Sequence, residues 1–148
     1  MPLNAAVAGA AALAALAITG LAAAHPLERT DDRATAASAL AAVRELHVQG
    51  KVFNAYQFGG YLIFQGIPVF IDSRSDMYGD IFLKTFIDAT LIEDRTLPAL
   101  LQRYDIDWTL FPADGHAVGV LDHMAGWKRV YADDSAVVHV RTAALEKP

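Results

Sequence analysis

Lys51-Val52-Phe53-Asn54-Ala55-Tyr56-Gln57-Phe58-Gly59-Gly60-Tyr61-Leu62, followed after a short spacer by Val69-Phe70-Ile71-Asp72-Ser73-Arg74-Ser75-Asp76-Met77-Tyr78-Gly79, is the stretch whose reading sets the fold class. Lys51–Asn54 has the length and composition of a short strand, and Val69-Phe70-Ile71 is an apolar β-branched run of the kind that forms a buried strand. Gly59 and Gly60 break regularity between them, and Gly66 with Pro68 punctuates again. Each apolar run ends in polar side chains. In open α/β sheets ligands bind beyond the carboxyl ends of the strands, so two parallel neighbours would bring Asn54 and Tyr56 towards Asp72, Arg74 and Asp76.

Outward from this core, the pattern alternates. Ala36, Leu40, Val43 and Leu46 recur at helical spacing within 34–48, and Gly50 follows as a C′ glycine would. Asp72–Gly79 reads as a polar loop, and Asp80 as the cap of a helix running to about Ile92. Thr96 and Pro98 restart a helix that ends near Tyr104, Ile106–Phe111 reads as a strand, and His116–Met124 as a short helix. Trp127–Tyr131 and Ala136–Val140 flank Ala132-Asp133-Asp134-Ser135 as a β-hairpin. The expectation is one α/β domain over 34–142, a mixed sheet of four to five short strands flanked by helices. A linker (25–33) and a tail (143–148) border it, and one hydrophobic helix (1–24) precedes it.

That N-terminal segment carries no charge. Ala5–Ala24 is an uncharged run of 20 residues, the length that crosses about 30 Å of hydrocarbon. Twelve of them are alanine. The strong insertion drivers Val7, Leu13, Leu16, Ile18 and Leu21 supply about −2 kcal/mol together. A membrane helix is one reading; a signal peptide cleaved after Ala22-Ala23-Ala24 is the other, against which stands an n-region without Lys or Arg. A buried soluble helix would need a polar face. Arg29 and Arg33 after the run are a small charge signal for a cytoplasmic C-terminal side.

The 148-residue chain carries 12 basic and 17 acidic residues, a net charge of −5, and no cysteine. A basic nucleic-acid face is thereby excluded, as are disulfides, thiolate nucleophiles and cysteine metal sites. Asp72, Asp76 and Asp80 invite a hard-cation reading, but Arg74 stands where a calcium loop needs an oxygen donor. An Arg74 salt bridge to Asp72 or Asp76 explains the same residues structurally. Recognition of an anionic or sugar-like ligand is the functional alternative, with Arg74 as donor and Tyr56 or Tyr78 as stacking face. The candidate ligand-binding set is therefore Asn54, Tyr56, Asp72, Arg74, Asp76 and Tyr78; no catalytic residue, metal or cofactor is assigned. Gly59-Gly60 lacks the third glycine and the lysine of a phosphate loop and reads as close packing. His116 and His123 are seven apart, without zincin spacing. Ser73, Ser75 and Ser135 lack a nucleophile elbow, and Trp108 and Trp127 read as packing residues.

Lys51-Val52-Phe53-Asn54, Phe58-Gly59-Gly60-Tyr61-Leu62-Ile63, Val69–Arg74 and Tyr78-Gly79 resemble the soluble C-terminal domain of bacterial polytopic membrane proteins related to the C-superfamily (lipid-linked sugar) glycosyltransferases. The likeness continues through Tyr104–Trp108, Gly126-Trp127 and Tyr131–Asp134, about residues 38 to 141. Ser73 replaces the glycine of the family's Asp-Gly-Arg segment, and Phe58 a frequent tryptophan. The resemblance implies an extracytoplasmic accessory domain, a detached or truncated C-terminal part without its own active site. Its implied partners are the lipid bilayer, other membrane helices or a lipid-linked sugar, and no nucleic acid. The alternative is a free-standing module, membrane-tethered or secreted, that binds a sugar or phosphate group.

Overall fold

The computed structural model describes residues 2–24, 30–92 and 96–145. The expected linker positions 25–29, the tail positions 146–148 and the residue after the expected cleavage point lie outside them. Helix α1 (Pro2–Ala24) precedes a mixed α/β domain of α2 (Ala37–Glu45), β1 (Val52–Asn54), α3 (Gly59–Phe64), α4 (Asp80–Ile87), α5 (Thr96–Arg103), β2 (Trp108–Pro112), α6 (His116–Asp122), β3 (Trp127–Ala132), β4 (Ala136–Arg141) and α7 (Thr142–Leu145). The described strands form one sheet in the order β1-β2-β4-β3. β1 and β2 are parallel, and the other two pairs are antiparallel. The β1-to-β2 crossover carries α3, α4 and α5.

β4 reads Ala-Val-Val-His-Val-Arg and is buried on both faces as far as Val140, which is why its sequence runs apolar rather than alternating. Asp133 builds the hairpin that feeds it: its Oδ1 accepts from the Ser135 and Ala136 amides at 2.8 and 2.7 Å. Helix α2 packs against β3 and β4, and α6 against β2, β3 and β4. On β1, Phe53 meets Phe70, Phe86 and Phe111 with ring centroids 4.7, 5.7 and 5.3 Å away, so the aromatic residues knit the crossover to the sheet.

Three helices end alike. Val48 N–H bonds Val43 O while His47 N–H bonds Arg44 O; the same double closure joins Ile67 to Leu62 with Gly66 to Ile63, and Ile106 to Leu101 with Asp105 to Gln102. These are Schellman motifs, with His47, Gly66 and Asp105 at positive φ of 53°, 75° and 52°. Each ends its helix and turns the chain back towards the sheet side of the domain, through Val48, Ile67 and Ile106.

The structure corrects several expectations. Helix α2 stops at Glu45 and leaves Leu46 exposed, because His47 rather than Gly50 takes the left-handed C′ position. Asp80 is the first residue inside α4, with Gly79 at the cap, and the helix continues as a π-helical turn over Asp88–Ile92. Tyr56–Phe64 is not irregular: a 3-10 turn, Tyr56–Phe58, leads directly into α3. Val69-Phe70-Ile71 joins no ladder, and Phe70 lies in a bend. The sheet therefore has four described strands, and a side chain takes the place of the missing pairing. Residues 143–145, expected as tail, belong to α7.

Gly59 permits the contact between α3 and the backbone of Ile71 and Asp72. A methyl group on Gly59 would lie 2.4 Å from Ile71 O and 2.7 Å from Asp72 Cα, whereas one on Gly60 would meet nothing within 4 Å. Both glycines are helical, so propensity alone favours alanine at either. Gly60→Ala is expected to stabilise the domain by about 0.5–1 kcal/mol. Gly59→Ala is expected to destabilise it by about 2 kcal/mol or more, since backbone must shift. Urea denaturation of the two variants checks the opposite signs.

Candidate functional site

Asn54 is the last residue of β1 and is fully buried. Its Nδ2 donates to Ile71 O at 2.8 Å and Ala55 O at 2.9 Å, and its Oδ1 accepts from Phe70 N–H at 2.9 Å. One carboxamide thus stands in for the backbone of a neighbouring strand. A buried polar side chain must be satisfied in this way, and here the requirement fixes where residues 70–72 lie. Tyr56, two residues on, adds a hydrogen bond from its hydroxyl to Ser73 O at 3.1 Å.

With Ile71 pinned, Asp72 points inward. It is 1% exposed, and Arg74 closes over it. The Arg74 amide donates to Oδ1 at 2.8 Å, Nε lies 3.0 and 3.2 Å from Oδ1 and Oδ2, and Nη2 donates to Oδ2 at 2.6 Å. The guanidinium fork matches the carboxylate as a lysine could not. Arg74's hydrogen bonds hold the Asp72 carboxyl down at about 2, against burial that pushes it up, with Tyr78 adding to the downward pull. The pair raises Arg74 in return. Tyr78 is pushed up, first by its own burial and then by Asp72. Its ring stacks on Phe82 at 5.2 Å, and Phe82 stacks on Phe70 at 5.1 Å, so an aromatic column backs the clasp.

The structure therefore brings Asn54, Tyr56, Asp72, Arg74 and Tyr78 around one loop. Asn54 and Asp72 spend their polar atoms on internal bonds, while the Arg74 side chain remains 61% exposed. Asp76 and Asp80 are exposed, and the salt bridge forms with Asp72 rather than Asp76. Among the described residues no group of three or more His, Asp or Glu is placed to hold a metal ion. An ionised, fully engaged Asp72 is not a general acid poised near neutrality; its chemistry is to hold the loop.

A second polar cluster escaped the sequence analysis. Thr109, His139 and Arg129 are cross-strand neighbours over β2, β4 and β3. Asp122, ending α6, accepts from Arg129 Nε at 2.8 Å and lies 2.8 Å from His139 Nε2. Arg129, then His139, lower the Asp122 carboxyl against its burial, and burial lowers His139 although Asp122 pulls it up. The His139 ring is fully buried, with Nδ1 unpartnered, as is the Thr109 hydroxyl. A polar residue amid Val137, Val138 and Val140 was a visible signal; its partner, 17 residues earlier, was not. No protein-family profile, curated protein or solved structure matches this chain.

Two outcomes test this geometry. Asn54→Ala leaves Phe70 N–H and Ile71 O without their partner and is expected to lower the unfolding free energy by about 3 kcal/mol, read by urea denaturation. Folded Asp72 titrates below its ordinary value of 3.8, so its stabilisation is fully present above that pH and lost as pH falls through about 2. Arg74→Ala removes the largest downward cause and leaves burial. The Asp72 carboxyl then titrates at higher pH, followed by carbon-13 NMR, and acid unfolding begins at higher pH. Arg74→Lys falls between the two.

Proposed function

We propose that this chain is an extracytoplasmic accessory domain of a glycosyltransferase-like membrane protein, held at the bilayer by α1 and without an active site of its own. The observation that carries it is the exposure of α1. Val7–Ala24 has a mean hydropathy of 2.0 and none of it is covered by the domain. Val7, Leu13, Leu16, Ile18 and Leu21 are 63–70% exposed. An apolar surface of that extent marks a membrane or partner contact. A helix of this length and composition serves either to cross a membrane or as a signal sequence. The glycosyltransferase association rests on the sequence resemblance around Asn54–Leu62 and Val69–Gly79. The absence of an active site is supported by the engagement of the buried ionisable groups Asp72 and His139 in structural pairs.

One observation favours a second reading, a tethered or secreted module that binds a sugar or phosphate group. Arg74 grips Asp72 with one side of its guanidinium and is still 61% exposed, and a partly exposed Tyr56 bonds the backbone of the preceding residue, Ser73. On that reading Arg74→Ala abolishes retention of a phosphorylated or glycosylated lipid in an overlay assay.

For the anchor, the expected outcome is a full-length protein that stays with membranes through an alkaline carbonate wash. Protease added to the extracytoplasmic side of sealed membranes should digest the domain. A soluble product starting at His25 would establish a cleaved signal, and digestion only from the cytoplasmic side would reverse the proposed orientation.

A further inference from the structure

Resting on the membrane reading of α1, we propose that the edge of the sheet formed by the carboxyl ends of β1 and β2 is a docking surface for the phospholipid bilayer. The first observation is where the chain arrives. Asp32 and Arg33 line a cleft of about 720 Å³ together with Gln57, which follows β1, and Pro112, which ends β2. Eight residue steps separate Ala24 from Asp32. At no more than about 3.6 Å each they reach about 30 Å at most, so a membrane-inserted α1 keeps this edge within about 30 Å of the point where the helix ends.

The second observation is what the edge presents. An apolar cleft of about 180 Å³ opens there between Ala55, Tyr56, Phe86, Leu91, Phe111 and Pro112, and it shares Gln57 and Pro112 with the cleft at which the chain arrives. On its rim Leu91 is 65% exposed and Tyr56 39%, and Ile87, one helical turn before Leu91, is 41% exposed. Aliphatic side chains beside an amphipathic tyrosine suit the boundary between headgroups and acyl chains. Tethering makes the contact intramolecular in effect, so modest apolar area suffices. Asp32, Asp114 and Asp134 outnumber Arg33 around the neighbouring cleft, so the surface fits zwitterionic lipid better than anionic lipid.

The cysteine-free sequence makes the test direct. Full-length Leu91→Cys and Ile87→Cys variants carry a polarity-sensitive fluorophore in phosphatidylcholine liposomes containing headgroup-nitroxide lipid. The control is Gln102→Cys, on α5 beside Trp127 and Arg141 at the opposite edge. The expected result is severalfold stronger quenching and a blue-shifted emission at positions 87 and 91, both weakened when phosphatidylserine replaces part of the phosphatidylcholine. Quenching at 87 and 91 equal to that at 102, in protein that floats with the liposomes, overturns the docking while sparing the anchor. Self-quenching at 91 that rises with protein density, without nitroxide quenching, assigns the edge to a second copy and also overturns it. Failure to float overturns the membrane reading and the docking with it.

Discussion

Asn54 closes β1 with a buried carboxamide, and its hydrogen bonds to Phe70, Ile71 and Ala55 place the 69–71 segment of the crossover beside the edge strand of the sheet. β1 is three residues long and pairs with β2 on one side; on its other side the Asn54 carboxamide supplies the bonds to the backbone. A carboxamide offers one acceptor and two donors in a plane, the same groups that a strand presents. Substituting a side chain for a strand lets the chain leave the sheet immediately, at Asp72. The loop beyond then inherits its position from that anchor: Asp72 faces inward, Arg74 folds over it, and Tyr78 joins from the first turn before α4. Gly59 belongs to the same constraint, because α3 can approach Ile71 O and Asp72 only where no Cβ intervenes.

Burial of charge follows a common rule in the clasp and beneath α6. Asp72 is almost fully desolvated and Asp122 only in part, and in each case an arginine compensates: Arg74 for Asp72, Arg129 for Asp122. The isolated charge would be costly, and the pair is tolerable because the hydrogen bonds are multiple and well directed. Acid acts on these groups in one direction. Asp72 and Asp122 are lowered by their partners, and His139 is lowered by burial. The folded state therefore binds protons less readily than the unfolded chain at all three, and stability falls as pH falls, first through the histidine range and then through the carboxylate range.

The parts of the fold legible in the sequence are those whose signals are local. The 127–140 hairpin announces itself by the turn residues Ala132-Asp133-Asp134-Ser135 between two strand-like runs, and α5 and α6 by apolar periodicity between turn residues. Val69-Phe70-Ile71 misled because burial and β-branching report a covered extended segment, not which groups satisfy its backbone. Helix α3 was hidden by Gly59-Gly60, whose low propensity is overridden by the packing of Phe58, Tyr61 and Leu62 into the core. His47 and Asp105 took left-handed positions where sequence rules look for glycine or asparagine. In the candidate site, a salt bridge of Arg74 to a nearby aspartate was readable from their opposite charges, but not that Asp72 rather than Asp76 takes it. The cluster of Asp122, Arg129, His139 and Thr109 was not, since strand register brings it together.

The clasp also constrains any ligand that Arg74 would serve. An arriving anion competes with a carboxylate that is already ionised, nearly dehydrated and bound through both Nε and Nη2. Pulling Arg74 away would strand the Asp72 charge in the protein, a far larger penalty than the gain from one exposed anion contact in water. A ligand is thus confined to the outer, exposed flank of the guanidinium and adds to the clasp instead of replacing it. The loop would keep its conformation with or without such a ligand, because Asn54 and Asp72 hold it from within.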